Sequence, residues 1–347
     1  MTETNIETLS TEKMVNDVLR AIDREREREI VSRRFGLFER RETLEQIGEL
    51  LGITRERVRQ LEKAVVQRLK TAGEQHKLPG IDEFQQRVIN ELDKSGQVIR
   101  ISNLANNLVE DPNRIEQSRI TFLCSLCPDL VVVQDDDNYY ACVSTKELYN
   151  EKSLKDAVSK IADTVASIGE PKEIDEVANK TGIKDEKRAE ALASASKQLA
   201  TLNNQWGLVK WPLVNPKNIR DKIYVILKEN GRHMHFNEIA DSIKASDFKR
   251  KDVTTQAIHN ELIKDKRFVL IGRGIYALKE WGYEKGTVAD IISQVLKEAN
   301  QPLHRDEIVK RVLKSRFVKE TTILLNLQGK PQFKRVAKAT YELAETE

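Results

Sequence analysis

Residues 43–63 read TLEQIGELLGITRERVRQLEK, and the spacing of apolar side chains in this stretch decides how the chain is organised. Leu44, Ile47, Leu50 and Leu51 recur at i, i+3, i+6 and i+7, an apolar stripe along one helix. Gly52 stands where a left-handed residue ends a helix. Ile53 plugs the turn, and Thr54 is a good N-cap for a second helix. Val58, Leu61, Val65 and Leu69 mark the buried face of that helix. Helix, short glycine-containing turn, helix is the helix-turn-helix pattern. Away from the buried face the second helix carries Arg55, Glu56, Arg59 and Gln60 near its N-terminus. Arg suits guanine O6 and N7, Gln suits adenine, and Glu accepts from cytosine N4. The N-terminal part of such a helix is what enters a major groove, and the Thr54 hydroxyl with the first amides suits a phosphate. On patterning alone the same face fits a solvated surface laced by i,i+4 ion pairs equally well.

The 347 residues suffice for several domains with real cores. Charged residues make up 33% and aromatics 5%, and the net charge of +3 is too small to name a partner. No apolar run approaches the ~20 residues that span a bilayer. The opening MTETNIETLSTEKM is polar and acidic, unlike a signal peptide. Cys124, Cys127 and Cys142 are too few for a disulfide framework. A soluble cytoplasmic protein without membrane contact is expected.

The stretch from Arg24 to Lys70, REREREIVSRRFGLFERRETLEQIGELLGITRERVRQLEK followed by AVVQRLK, resembles region 4 of the sigma-70 family of bacterial RNA polymerase initiation factors. The RRFGL helix end (33–37), the TLEQIG entry and the TRERVRQ-E core carry the resemblance. It implies that the second helix reads a promoter −35 element through Arg55, Glu56, Arg59 and Gln60, with Arg57 and Lys63 on the phosphate side. It further implies docking of the part matching residues 23–50 on the flap of the polymerase β subunit. Only Met1 to Ile22 precede the segment, so the family's core-binding and promoter-melting region is not expected in this chain.

The remainder is repetitive. Phe268, Ile271, Tyr276 and Leu278 match Phe333, Val336, Tyr341 and Leu343 at an offset of 65, and HFNEIADSIK (235–244) matches HRDEIVKRVL (304–313) at an offset of 69. Each unit reads as three helices (222–229, 236–244, 252–264; 287–299, 305–314, 320–328) and then two strands joined by a turn, a winged helix. Weaker copies keep the same order at IRISNLANNL with LVVVQDDDNYYACV, and at EIDEVANKTGIK with WGLVKWP, each opened by an amphipathic helix (84–92, 154–165). The expected fold class is mainly α, with tandem helix-turn-helix and winged-helix domains carrying short β-hairpin wings. The expected divisions are 1–22 (tail and helix), 23–72, 81–147, 151–214, 217–282 and 283–347. The last two units resemble the HARE-type helix-turn-helix family of polymerase delta subunits and some chromatin and restriction proteins. Phe236, Ile239, Phe268, GRGIYAL (272–278) and Trp281 carry that resemblance, which implies an adaptor without catalytic residues.

Charge sorts the units. Residues 23–70 are net +3, 81–147 net −6, 151–214 neutral, 216–280 net +5 and 303–338 net +7. Phosphate neutralisation supplies most non-specific affinity, so the acidic unit, with Asp135, Asp136 and Asp137 at its wing tip, reads as a spacer or protein-contact module. The basic units offer backbone clamps: Lys249, Arg250, Lys251 and Arg273 in one, and Arg316, Lys319, Lys334 and Arg335 in the other, with Lys314, Lys330 and Lys338 nearby. The same side chains also fit a plain solvated basic surface.

Catalytic and metal chemistry find little support. Cys124 and Cys127 have zinc-knuckle spacing, but a structural zinc wants four ligands, and TFLCSLCPDL (121–130) reads as a buried helix. His235 and His304 occupy equivalent repeat positions just before a second helix, which suits capping. His76, His233 and His259 lack convergent ligands, and GRG at 272–274 is a wing turn without a following helix. Trp206, Trp211 and Trp281 lie at wing ends and are expected to pack. No cofactor is expected and no enzyme activity. The leading expectation is a sequence-specific DNA-binding transcription factor with promoter-like duplex DNA and the polymerase core as partners. The alternatives are a delta-like polymerase accessory subunit that binds protein, and the recognition part of a restriction or modification system.

Overall fold

The structure is a computed structural model that describes residues 10–248, 252–283 and 285–344. It divides into two compact units, Met1–Val209 and Lys210–Glu347. The first begins with α1 (Thr11–Arg20), α2 (Glu25–Phe35), α3 (Leu44–Leu51) and α4 (Arg55–Glu74). Two segments of one plan come next: α5 (Ile81–Lys94), β1 (Val98–Arg100), α6 (Ile101–Leu108), α7 (Arg114–Leu126), β2 (Leu130–Val133) and β3 (Cys142–Thr145); then α8 (Glu151–Ile168), β4 (Lys172–Glu173), α9 (Ile174–Thr181), α10 (Glu186–Ala195), β5 (Leu199–Leu202) and β6 (Gln205–Leu208). The second unit repeats the plan twice: α11 (Ile219–Asn230), β7 (Met234–His235), α12 (Phe236–Ala245), α13 (Thr255–Lys264), β8 (Phe268–Gly272) and β9 (Ile275–Leu278); then α14 (Val288–Ala299), β10 (Leu303–His304), α15 (Arg305–Ser315), α16 (Glu320–Gly329), β11 (Phe333–Ala337) and β12 (Thr340–Leu343). The architecture is mainly α, with helix-turn-helix and winged-helix segments.

Each sheet has three antiparallel strands, where the sequence suggested two. A short strand just before the second helix pairs with the last strand of the wing, giving the orders β1-β3-β2, β4-β6-β5, β7-β9-β8 and β10-β12-β11. Segments of two or three residues carry no readable period-2 alternation. The offset of 65 proves structural. Leu270 faces Tyr276 and Gly272 faces Ile275 across a bulge, and Arg335 faces Tyr341 and Ala337 faces Thr340 across the same bulge. His235 and His304 cap equivalent helices, each Nδ1 accepting an amide hydrogen at 3.3 Å, from Asn237 and Asp306.

Two expectations for the opening helices change. Leu50 does not join the core and is 55% exposed, because at 3.6 residues per turn it lies roughly 100° around the helix from Leu51. Helix α4 serves two cores. Val58 packs with Ile30 and Ile47 in a small helix-turn-helix core. Val65 and Leu69 enter a much larger core shared with α1, α5 and α7. Gly73 makes that second packing possible, since a Cβ there would stand 2.4 Å from the Leu126 carbonyl oxygen. The N-terminal helix is part of the same core through Val15, Val18 and Leu19.

The cysteines of α7 and β3 are buried and free. Burial is the main cause pushing the Cys127 and Cys142 thiols up to about 12, so they act as protonated core side chains. Trp206 is buried on β6, and Trp281 packs on the cluster of Val269, Ile271 and Ala277. No helix among the described residues is long and apolar enough to cross a membrane.

Candidate nucleic-acid interface

The helix-turn-helix is fixed by its caps and by one close approach. Thr43 and Gln46 form a reciprocal capping box at the start of α3. Gly52 ends that helix at φ +64°, a conformation that favours glycine. Gly48 is needed for space: a Cβ would sit 2.7 Å from the Ile53 carbonyl oxygen, so the turn folds directly over α3. The Thr54 hydroxyl accepts the Arg57 amide at 3.2 Å and starts α4. Val58 then points inward with partly buried Leu61, while Arg55, Glu56, Arg57, Arg59, Gln60 and Lys63 are all exposed. Behind this face, Arg34 pairs with Glu62 at 3.3 Å and Arg68 with Glu27, tying α4 to α2.

The exposed face is internally hydrogen-bonded. Arg59 donates to both Glu56 oxygens, at 2.8 and 2.6 Å. Gln60 donates to Glu56 at 3.4 Å, and Arg57 donates to the Gln60 side-chain oxygen at 3.3 Å. The Arg59 hydrogen bonds hold the Glu56 carboxyl below the ordinary carboxylate range, and Glu56 in turn raises Arg59. Arg55 reaches back to Glu45 on α3 at 3.3 Å. Exposed pairs of this kind contribute little to stability. They are therefore easily exchanged for other hydrogen-bond partners.

The helices in the same position of the next two segments pack against neighbouring segments of the same unit. α7 packs against α1, α2 and α4, with Arg119 only 7% exposed. Its guanidinium donates to the Leu37 carbonyl at 2.7 Å, to Glu116 at 2.6 Å and to Glu12 at 3.0 Å. α10 packs against β1 of the preceding segment, so closely that a Cβ on Gly96 would lie 2.4 Å from the Lys187 backbone. The acidic wing is used in the same way. Asp135 pairs with Lys197 at 2.7 Å, the Lys197 amide donates to the Asn138 carbonyl at 2.8 Å, and Tyr139 bridges to Ser196. This wing holds the following segment of its own chain.

In the second unit α13 exposes Gln256 and Asn260, hydrogen-bonded to each other at 3.1 Å, and α16 exposes Thr321 and Gln328 beside Leu325, which is 68% exposed. Arg273 is exposed at the wing turn, as are Lys319 before α16 and Lys334 and Arg335 on β11, with Lys314, Lys330 and Lys338 around them. Arg316 is a correction. Expected as a backbone clamp, it is 6% exposed and donates to the Leu270 carbonyl, while the Phe317 amide donates to the Ile271 carbonyl at 3.1 Å. Burial lowers its pKa. It fastens the last segment to the free edge of β8 and is not available to a phosphate. Lys249, Arg250 and Lys251 lie outside the described residues.

The geometry of α3, the turn and α4 is that of a helix-turn-helix whose second helix is N-capped and faces solvent. Residues 24–71 match the family model of Sigma-70, region 4, a DNA-binding helix-turn-helix domain of transcription. No curated protein matches the chain.

Proposed function

We propose that the protein is a sequence-specific DNA-binding transcription factor in which α4 enters a major groove. Arg55, Glu56, Arg59 and Gln60 face base edges, and Thr54, Arg57 and Lys63 face the backbone. The observation that carries this reading is the contrast at the third-helix position of the first unit: α4 presents a complete donor and acceptor set to solvent, whereas most of α7 is packed against α1, α2 and α4 and the start of α10 lies against the preceding segment. The basic segments of the second unit, which resemble HARE-type winged helices, supply a less specific hold through Arg273, Lys319, Lys334 and Arg335. Polymerase core is the expected protein partner.

A second reading, an accessory subunit that binds polymerase and not DNA, is favoured by the acidic 81–147 segment and by Leu325 standing exposed on α16. The two part company in a gel shift with promoter-like duplex and no polymerase. A shift that weakens steeply with salt supports the DNA reader. Co-purification with polymerase core and no shift at any salt supports the accessory subunit.

A further inference from the structure

A cleft of about 480 Å3 opens in the first unit between the loop after α2, the start of α6, the start of α7 and the acidic wing. Arg41, Arg100 and Arg114 all line it, brought together from three distant parts of the sequence. Among the described residues none of the three forms an ion pair with a carboxylate. Arg41 donates only to the Arg34 carbonyl, at 3.1 Å. The Arg100 guanidinium stacks on the Tyr140 ring at 3.7 Å, and its buried Nε has no hydrogen-bond partner. The carboxylate in the wall, Asp135, is already paired with Lys197. Arg41 is exposed at the mouth of the cleft, with Arg34 and Glu62 as its charged neighbours. What this arginine-lined wall lacks is a compensating anion.

The chemistry of the donors narrows the anion. A guanidinium is a planar fork of five N–H groups that matches phosphate oxygens bidentately. Three such forks on one cleft suit a ligand with several charged oxygens. The Ser102 and Gln117 side chains on the walls offer further polar contacts, and the volume lies in the range of small-ligand pockets. We propose that this cleft binds a phosphate-bearing ligand, through Arg41, Arg100 and Arg114. The phosphate comes either from a small phosphorylated compound or from the backbone of the nucleic acid beside the helix-turn-helix. The site stands on its own geometry and does not require that α4 reads sequence.

The test uses the full chain and two substitutions, Arg100→Gln and Arg114→Gln, with Arg305→Gln in the other unit as control. Thermal unfolding is followed against pyrophosphate alone, with sodium chloride at matched ionic strength as reference. A melting temperature that climbs with pyrophosphate, as mass action requires, and stops climbing in both variants but not in the control supports a small-ligand site. If pyrophosphate has no effect, but both variants weaken binding of a duplex and flatten its salt dependence relative to the control, the cleft takes a backbone phosphate. If pyrophosphate acts no differently from chloride and both variants bind duplex like the control, the proposal is overturned. Arg114 is exposed, so its variant carries the test even if loss of the Arg100–Tyr140 stack unfolds the other.

Discussion

Helices α4 and α7 occupy the same position in two consecutive helix-turn-helix segments of the first unit, and they have opposite fates. The first two turns of α4 meet solvent, with four polar side chains trading hydrogen bonds among themselves. α7 is closed in by α1, α2 and α4, and its Arg119 is saturated by one carbonyl and two carboxylates. The same supersecondary plan serves in one case to present a surface and in the other to glue segments together. Helix-turn-helix topology alone therefore does not tell which copy presents its third helix to solvent; the partners of that helix do.

The largest effect expected from breaking this contrast lies on the glue side. Arg119→Ala removes the cation from a buried cluster and leaves Glu116 with only the Thr11 hydroxyl, so the first unit should lose about 3 kcal/mol, at the low end for breaking a buried pair. Chemical denaturation reads this directly, and an unchanged midpoint would show that α7 is not a structural tie. Next comes Gly48→Ala. The added Cβ meets the backbone of the turn at 2.7 Å, an overpacking that costs about 1–3 kcal/mol. Because it shifts α3 against α4, DNA binding should fall before the large core of the unit melts. Calorimetry beside a binding isotherm separates the two.

Smaller effects sharpen the presenting side and its supposed helpers. Lys334→Ala should weaken binding to all duplexes alike and reduce the slope of log affinity against log salt by about 1. A slope equal to that of the unaltered protein would remove β11 from the interface. The smallest effect is electrostatic. The Glu56 carboxyl is depressed chiefly by hydrogen bonding to Arg59, so the pair is intact at neutral pH, above the carboxyl's ordinary value, and is lost only as pH falls through the depressed value. In Arg59→Ala the Glu56 midpoint, followed by NMR, should move up toward that ordinary value. If it stays where it was, the bidentate contact does not exist in solution.

Much of this was legible in the sequence, for local reasons. The helix-turn-helix shows in the spacing of Leu44, Ile47 and Val58 and in the cap residues Gly52 and Thr54, each of which acts within a turn or two of itself. The repeat shows because the two wings share one register down to the bulge, so Tyr276 and Tyr341 recur in step. The two histidine caps are explained by their equivalent positions. What stayed hidden depends on partners far away in the chain. Nothing near Arg119 announces that it reaches Leu37, and nothing near Arg316 announces the Leu270 carbonyl. A basic residue looks the same in sequence whether it faces phosphate or a backbone oxygen. The arginines at 41, 100 and 114 converge only after distant helices have packed. The two-core division of α4 is invisible for the same reason, since one continuous apolar stripe feeds both cores.

The central claim, that α4 is the sequence-reading helix, is tested most directly by selecting bound duplexes from a random pool with the unaltered protein and with Arg59→Ala. The account predicts one enriched motif, and a variant that loses preference at a single base position by roughly tenfold while the rest of the motif persists. Recovery of the same motif with the same strength at every position by both proteins would contradict it.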